Sequence, residues 1–230
     1  MMSGKPELFL RLRLSFLRTF FKLLYTRLAW TYDLVAWIVS VGKWKNWVTA
    51  VIPYLEGRTI LELGHGPGHL QIALHNKFRL CAEGHQIFGL DKSRQMGEIA
   101  SKRQKKHGCQ AALVRGDAQR LPFPDESLHQ LVATFPSEYI ISSDTLDEVQ
   151  RVLRPGGQLV VLAVAWITGR RLHQRAAAWL FKITGQAPAW DDRYLEPVIR
   201  KGFEVQIERG SSSASQLLIL LISKPDNAGT

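Results

Sequence analysis

The stretch that decides the fold is ILELGHGPGHL, residues 60–70, in which an apolar run with one acid leads into three glycines at alternate positions. Such a segment predicts a short buried β-strand that ends in a turn and then feeds a helix. Glycines keep side chains away from the backbone at that turn, and the N–H groups at the helix start then face whatever binds there. The stretch therefore predicts a ligand crevice at the carboxyl end of a parallel strand.

The remaining chain repeats this pattern. From residue 59 onward, short apolar runs alternate with longer helix-like segments, which is typical of βα units and a mostly parallel sheet. Predicted strands cover 59–63, 86–91, 111–115, 128–134, 158–165, 203–209 and 216–223, and predicted helices cover 68–78, 93–107, 142–153, 171–183 and 191–201. Only GSSSAS separates the last two strands, so they are expected to form an antiparallel hairpin.

A basic amphipathic helix is predicted at residues 8–31, ahead of this alternation. The segment carries no acid and five cations, namely Arg11, Arg13, Arg18, Lys22 and Arg27. At helical spacing Arg11, Arg18 and Lys22 lie on one side, and the leucines and phenylalanines spread over the other. It could lie on an anionic membrane surface or pack on its own domain or a second subunit, and the sequence leaves both open. We predict two parts: residues 1–48, with this helix and a segment that covers the cofactor, and residues 49–230, the cofactor-binding domain.

Composition narrows the class of protein. The 230 residues carry a formal charge of +10 with an isoelectric point near 9.9, which favours a nucleic acid or an anionic membrane as a neighbour. The cationic run 102–107 ends a predicted helix and is explained by the helix dipole, so nucleic acid is not favoured. No run of eighteen uncharged apolar residues exists, and no cleavage site follows the N-terminal stretch, which argues against a spanning helix and against export.

Metal chemistry has little support in the sequence. Cys81 and Cys109 form no CxxC motif and have no histidine pair nearby, so we predict no metal site and no disulfide framework. This cysteine usage fits a reducing compartment, and we expect a cytoplasmic protein, with peripheral contact at the inner face of the membrane as an option.

The spacing of the glycines separates two kinds of nucleotide cofactor. A dinucleotide fingerprint reads GxGxxG and rests a pyrophosphate on the helix, whereas this loop reads GxGxG and has His69 at the place of the third glycine of that fingerprint. Glu62 stands two residues before the first glycine. A carboxylate there would repel a pyrophosphate and attract a cation such as S-adenosylmethionine. The predicted cofactor contacts of this loop are Glu62, Gly64, Gly66 and Gly68.

At these residues the chain resembles the class I S-adenosylmethionine-dependent methyltransferases, whose first motif is an acid followed by GxGxG. The resemblance covers about residues 57–165 and implies a Rossmann-like α/β fold. It implies that Asp91, in IFGLDKS, binds the ribose hydroxyls, and that Asp117 and the N–H of Ala118, in VRGDAQRLPF, bind adenine. Lys92, next to Asp91, and Thr134, at the end of the fourth strand, are included in the predicted cofactor set.

Two further segments refine the resemblance. LDEVQRVLRPGGQLVVL is similar to the helix, turn and fifth strand of the type-11 methyltransferase group. Residues 25–47 resemble the entry region of the ubiquinone and menaquinone C-methyltransferases, on the matches Tyr32, Asp33, Ser40, Gly42 and Trp47. That region implies a segment folded over the cofactor, with Tyr32 as a contact.

The acceptor side has no diagnostic motif. Residues 134–137, TFPS, lack the Asn/Asp-Pro-Pro-aromatic tetrad of base amino methyltransferases, which argues against a nucleobase acceptor. Glu138, Tyr139 and His65 are candidate catalytic residues, although a solvated acid, a packed ring and a histidine at the loop surface explain them equally without chemistry. Further candidates on the acceptor side are Trp190, Asp191 and Arg193.

These observations predict an S-adenosylmethionine-dependent methyltransferase that acts on a small lipophilic acceptor, either a quinone precursor or a phospholipid headgroup. An NAD(P)-dependent oxidoreductase is the alternative within the same fold class. A membrane-associated scaffold that binds the donor without turnover is the alternative outside it. The methylated atom and the oligomeric state are not predicted.

Overall fold

The computed structural model describes residue 40 and residues 42–78, 84–109, 111–168, 192–212 and 215–226. Seven strands form one sheet in the order β3-β2-β1-β4-β5-β7-β6. The strands are β1 (Thr59–Leu63), β2 (Gln86–Asp91), β3 (Ala112–Arg115), β4 (Leu128–Thr134), β5 (Leu153–Ile167), β6 (Glu204–Ser211) and β7 (Ser215–Ser223). The first five pair in parallel, and β7 pairs antiparallel with both β5 and β6. The mostly parallel α/β sheet and its C-terminal hairpin are therefore confirmed.

Within the described residues five α-helices flank the sheet: α1 (Trp44–Thr49), α2 (His69–Phe78), α3 (Arg94–Lys106), α4 (Ser143–Val152) and α5 (Glu196–Arg200). Three short 3-10 helices add Ile52–Tyr54, Glu138–Ile141 and Asp192–Leu195. The sequence did not predict α1. The helix predicted over 191–201 is instead a 3-10 turn followed by the short α5, whose first turn contains Pro197. The helices predicted over 8–31 and 171–183 lie outside the described residues.

Side-chain alternation along β1 divides the core into two layers. Leu61 and Leu63 face a cluster with α4 and α5, whereas Ile60 faces a cluster with α1 and α2. Trp47 and Val48 of α1 are buried in the second cluster, so this helix straddles the boundary predicted at residue 48 and packs on the sheet.

The fifth strand begins earlier than the sequence predicted. We expected a strand from residue 158 after a turn at residues 154–157, but β5 begins at Leu153, which pairs with Leu128. The register then shifts, and Gln158 pairs with Gln130. Gly156, with a φ of +70°, lies within the shifted stretch and accounts for the bend there. The helix α4 still ends at Val152, directly before this stretch.

The topology places a crevice beside β1. The chain runs from β1 outward to β2 and β3 and then returns to β4 on the opposite side of β1. Loops that follow β1 and β4 therefore diverge at the carboxyl edge, which is where open α/β sheets bind their ligands.

Candidate active site

The glycine turn after β1 is held against the end of β2. The Gly64 and His65 N–H groups donate to the Leu90 carbonyl oxygen, at 2.8 and 3.2 Å. Gly64, Gly66 and Gly68 have φ values of +71°, +50° and +81°, a conformation that L side chains rarely adopt. The predicted role of these glycines in shaping a bare backbone turn therefore agrees with the backbone geometry.

Two of these glycines differ in what surrounds them. A Cβ at Gly68 would lie 3.0 Å from the Ala100 Cβ, so this glycine lets α3 pack closely on the turn. A Cβ at Gly66 would meet no described atom within 4 Å. The turn is thus packed on its helix side and open at Gly66.

Asp91, the last residue of β2, ties the turn to the next helix. Its carboxylate accepts hydrogen bonds from the Gly66 N–H at 2.9 Å and from the Ser93 N–H at 2.8 Å. Ser93 is itself the N-cap of α3, and its hydroxyl accepts from the Met96 N–H. A carboxylate has about four lone-pair directions, so Asp91 retains capacity for further donors.

Asp117 follows β3 at the same edge. The Lys92 ammonium lies 2.6 Å from the Asp117 carboxylate, and this hydrogen bond, together with one from the Gln119 N–H, lowers the pKa of Asp117. The next residue, Ala118, is buried, and its N–H donates to no group among the described residues. Lys92, Asp117 and Ala118 therefore lie at the same edge of the sheet as Asp91, and their contacts with a cofactor stay predictions.

Glu62, near the end of β1, is buried against α2. Its side chain is 1% exposed and accepts a hydrogen bond from Gln71 Nε2 of α2 at 2.8 Å. Burial raises the pKa of Glu62 to about 8, so the carboxyl group is protonated at neutral pH. The predicted attraction between a Glu62 carboxylate and a cationic donor stays a prediction, and the contact that the structure shows for this side chain is the one that holds β1 to Gln71 of α2.

His65 is also buried beneath the turn, not at the loop surface. It is 4% exposed, and its Nδ1 lies 2.7 Å from the Gly66 carbonyl oxygen, a distance that requires the proton on Nδ1. Burial lowers the pKa of His65, although the nearby Asp91 opposes the shift. A neutral histidine bound to its own turn shapes that turn.

Arg103 of α3 contacts the glycine turn. The sequence did not predict this contact. Its Nη1 donates to the Pro67 carbonyl oxygen at 2.8 Å and lies 3.0 Å from His69 Nε2. The run 102–107 had been interpreted as a solvated helix end, and only the tertiary fold brings this one cation to the glycines.

Aromatic packing dominates the other side of the crevice, after β4. Phe135 follows Thr134 with a φ of +50°, a strained conformation for a bulky residue. Its ring lies 4.9 Å from the Trp44 ring and 6.1 Å from the Trp47 ring, centroid to centroid. The helix α1 thus holds the strained Phe135 in place.

The two residues proposed after β4 have different surroundings. Tyr139 is partly buried, and its hydroxyl donates to the Leu63 carbonyl oxygen at 3.4 Å, next to the position that a Cβ on Gly64 would take. Glu138 is exposed. Tyr139 therefore joins the β4 side of the crevice to the glycine turn.

Part of the entry region is also described. The Ser40 hydroxyl accepts the Trp44 N–H at 2.9 Å, and Gly42 has a φ of +75°, so both matched residues form the turn before α1. Arg193 lies exposed in the 3-10 helix before α5. The other candidates, Tyr32, Asp33, Trp190 and Asp191, lie outside the described residues.

Two kinds of feature are absent from the described ranges. Within them no three histidine, cysteine, aspartate or glutamate side chains come together as metal ligands. No helix in the same ranges has the length and apolar character that crossing a membrane requires.

Sequence comparison identifies the protein family of this chain. Residues 18–194 match the model of the ubiE/COQ5 methyltransferase family. A ubiquinone/menaquinone biosynthesis C-methyltransferase of Paracoccus denitrificans is 30% identical over 77% of this chain and 74% of its own length. A demethylmenaquinone methyltransferase of Thermotoga maritima is 35% identical over 60% of this chain and 59% of its own length.

Solved structures share the fold. A SAM-dependent methyltransferase from Aquifex aeolicus is similar with a TM-score of 0.58 at 16% identity, covering 77% of this chain and 89% of its own. A geranyl diphosphate C-methyltransferase from Streptomyces coelicolor is similar with a TM-score of 0.57 at 13% identity, covering 77% and 79%. The family match over residues 18–194, on the fold described above, shows that this chain belongs to the ubiE/COQ5 methyltransferase family and is an S-adenosylmethionine-dependent methyltransferase.

Proposed function

We propose that this enzyme binds S-adenosylmethionine across the carboxyl ends of β1, β2 and β3 and methylates a ring carbon of a lipophilic quinone precursor. The observation that carries the proposal is the convergence of the glycine turn on Asp91, whose carboxylate accepts the Gly66 N–H at 2.9 Å. This contact brings the open backbone at Gly66 next to a carboxylate that can accept two vicinal hydroxyl groups. A ribose is the part of the donor that fits there.

The adenine end of the donor is assigned to the residues after β3. Asp117 would accept the exocyclic amino group, and the unpartnered Ala118 N–H would donate to a ring nitrogen. The Lys92 side chain, which is 83% exposed and already paired with Asp117, would cover the ring. The methionine end is assigned to the open backbone at Gly66, with Thr134 and Tyr32 as further contacts.

Methyl transfer to a ring carbon requires an aligned donor and acceptor and a base that accepts the ring proton. The bond between sulfur and the methyl carbon breaks as the new carbon–carbon bond forms, and the ring carbon afterwards loses its proton to a base. Alignment of donor and acceptor can supply about 7–11 kcal/mol of the barrier, so positioning is the main task of the protein. Glu138 is the proposed proton acceptor because it is an exposed carboxylate directly after β4, beside the Tyr139 hydroxyl that contacts the glycine turn.

The acceptor assignment is supported by the relatives and by the aromatic side of the crevice. The Paracoccus and Thermotoga proteins are named for ubiquinone or menaquinone methylation. Trp44 and Phe135 offer flat apolar faces next to the end of β4, and such faces suit a planar ring. A phospholipid headgroup, which has no planar ring, gains nothing from them.

Peripheral membrane contact is proposed from the sequence of residues 8–31. Each cation near an anionic leaflet adds about 1 kcal/mol, so five cations add a few kcal/mol to apolar insertion. A lipophilic quinone precursor resides in the bilayer, and an enzyme docked at the surface would meet it there.

Calorimetry followed by turnover tests the donor and the acceptor in turn. We expect S-adenosylmethionine and its demethylated product to bind, and NADH not to bind. We expect methyl transfer from labelled donor to a reduced prenylated naphthoquinone without its ring methyl group, and none to phosphatidylethanolamine vesicles. Transfer to the phospholipid alone would overturn the acceptor, and donor binding without turnover on either substrate would favour the idle scaffold.

Deleting residues 1–24 tests the membrane contact separately. We expect the full chain to sediment with anionic liposomes and the deleted chain to remain in the supernatant with unchanged donor affinity. Equal sedimentation of both proteins would refute the membrane contact and leave the donor and acceptor assignments intact.

A further inference from the structure

A charged pair on α4 contacts the segment that follows β3. Glu148 and Arg151 lie one helical turn apart, and two hydrogen bonds of 2.8 Å join the carboxylate to the guanidinium. Their side chains are 20% and 32% exposed, and the hydrogen bond from Arg151 lowers the pKa of Glu148, so the carboxylate is charged at neutral pH. Because a bidentate pair has a narrow preferred geometry, it can fix the position of groups bound to it.

The pair binds backbone groups of the chain that leads into β4. The Glu148 carboxylate accepts the Leu121 N–H at 2.5 Å, and the Arg151 guanidinium donates to the Leu121 carbonyl oxygen at 3.0 Å. Arg151 also donates to the Phe123 carbonyl oxygen at 2.8 Å and to the Asp125 carboxylate at 2.7 Å. A guanidinium has five N–H donors, so Arg151 uses all of them, and three reach beyond the ion pair. Both backbone polar groups of Leu121 are therefore held by one turn of α4.

Leu121 directly follows the turn that carries the predicted adenine contacts. The Arg120 N–H donates to the Asp117 carbonyl oxygen at 3.0 Å, so residues 117–120 form a β-turn. Leu121 and Ala118 are 4% and 6% exposed, and both belong to the core cluster that includes α4. Because α4 holds the backbone of Leu121 and the core holds its side chain, the turn before it has little freedom to shift.

The helix α4 has a fixed position in the core. Its N-cap, Ser142, accepts a hydrogen bond from the Gln119 side-chain amide at 3.4 Å, which joins the turn to the start of the helix. The apolar residues of α4 are completely buried, namely Leu146, Val149 and Val152. The helix therefore supports the turn at two places, at its start through Ser142 and near its end through Arg151.

From these contacts we infer that Glu148 and Arg151 are positioning residues for the base of the methyl donor. The inference rests on the proposed function, in which Asp117 accepts the adenine amino group and the Ala118 N–H donates to the ring nitrogen beside it. The pair acts through the backbone of Leu121, which keeps this acceptor and this donor at the spacing that adenine requires. It therefore sets the preference of the enzyme for adenine over other bases.

Binding of two nucleosides that differ only in the base tests the inference. S-adenosylhomocysteine presents an amino group and an unprotonated ring nitrogen, whereas S-inosylhomocysteine presents a carbonyl oxygen and a protonated ring nitrogen at the same two positions. The carbonyl oxygen would face the Asp117 acceptor and the protonated nitrogen would face the Ala118 donor, so neither contact forms. We expect the full-length wild-type enzyme to bind S-adenosylhomocysteine about thirtyfold more tightly in calorimetry.

Two variants release the turn to different degrees. R151M removes all five donors, so the affinity for S-adenosylhomocysteine should fall about tenfold. The affinity for S-inosylhomocysteine, which makes neither contact, should fall less than about twofold, and the preference should drop to about sixfold or less. E148Q keeps the size of the side chain and should lower the preference about threefold, and it decides the test by itself if R151M does not fold. Equal weakening of both ligands would show a purely structural role and overturn the inference.

D147N is the matched control on the same helix. It removes the partner of the Lys201 ammonium, in an ion pair that joins α4 to the end of α5. The preference should therefore stay near thirtyfold in D147N, even where the free energy of unfolding falls. A wild-type enzyme that bound both nucleosides equally, or neither, would overturn the adenine assignment of the proposed function and the inference with it. A wild-type preference that persisted in R151M and E148Q would overturn the inference alone.

Discussion

The two sides of the crevice are built by different forces. On the side of β1, β2 and β3, hydrogen bonds position every group: Asp91 holds the turn at Gly66, and Lys92 holds Asp117. On the side of β4, ring packing positions Phe135 against Trp44 and Trp47. In the proposed assignment, a donor shared by many enzymes is held by a polar arrangement of fixed spacing, whereas the proposed acceptor side can change its shape through apolar residues of many kinds.

This difference makes the two sides separable by mutation. Changes among the polar groups should alter donor affinity or the pH dependence of folding, whereas changes among the aromatic residues should alter use of the acceptor.

The largest expected effect concerns Glu62. The buried carboxyl has a pKa of about 8 against 4.5 in the unfolded chain, so its contribution to stability is complete below pH 4.5 and is lost as the pH rises to 8. Between pH 5 and pH 8 this group should lower the free energy of unfolding by about 3.5 kcal/mol. In E62Q this part of the pH dependence should disappear, which urea unfolding from pH 5 to pH 8 measures. The control E204Q removes an exposed acid of β6 and should keep the wild-type slope.

The next largest effect is expected at Asp91. D91A removes the acceptor of the Gly66 and Ser93 N–H groups and the proposed ribose contact, so the dissociation constant for S-adenosylmethionine should rise about a hundredfold. Calorimetry measures the change, with E204A as the control. A rise below fivefold would mean that the polar side of the crevice does not hold the donor.

Phe135 tests the aromatic side. In F135L the KM for the acceptor should rise about tenfold because a flat ring face is lost, while donor affinity stays unchanged. F135G should raise this KM as much, although glycine accepts the φ of +50° without strain. Steady-state kinetics with each substrate varied in turn gives both constants. If donor affinity fell in both variants and the acceptor KM did not rise, the division of the crevice into two sides would be wrong.

The smallest expected effect concerns Arg103. R103M removes the hydrogen bond to the Pro67 carbonyl oxygen, so the turn should loosen and donor affinity should fall about fivefold. K106M, which removes an exposed cation from the same helix, should leave donor affinity unchanged. A loss of unfolding free energy in R103M without any loss of donor affinity would show that Arg103 stabilises α3 and does not position the turn.

Local pattern predicted most of the sheet and most polar residues of the crevice. Strand lengths, alternation and the glycine turn are properties of adjacent residues, and for this reason β1, β2, β4 and the hairpin of β6 and β7 agree closely with prediction. The resemblance to class I methyltransferases, and not spacing alone, singled out Asp91 and Asp117, which lie at the ends of the neighbouring strands β2 and β3.

What the sequence did not predict depends on contacts between distant residues. From the sequence alone Glu62 is expected to be a charged acid. Burial against Gln71 raises the pKa of its carboxyl group, and only the fold shows this burial. In the sequence Arg103 is one cation of a basic run. Its hydrogen bond to the Pro67 carbonyl oxygen joins residues that are 36 positions apart in the chain. The left-handed backbone at Phe135 has no local signal, because the packing of α1 imposes it.

The position of β7 has a consequence for the order in which the sheet can be completed. β7 is the last of the described strands in chain order, yet it lies between β5 and β6. During synthesis β6 has no neighbour in the sheet until β7 has left the ribosome, and the apolar edge of β5 stays uncovered until then. The nascent chain therefore exposes an aggregation-prone strand edge until β7 has been made, and we expect chaperones to engage it during that interval.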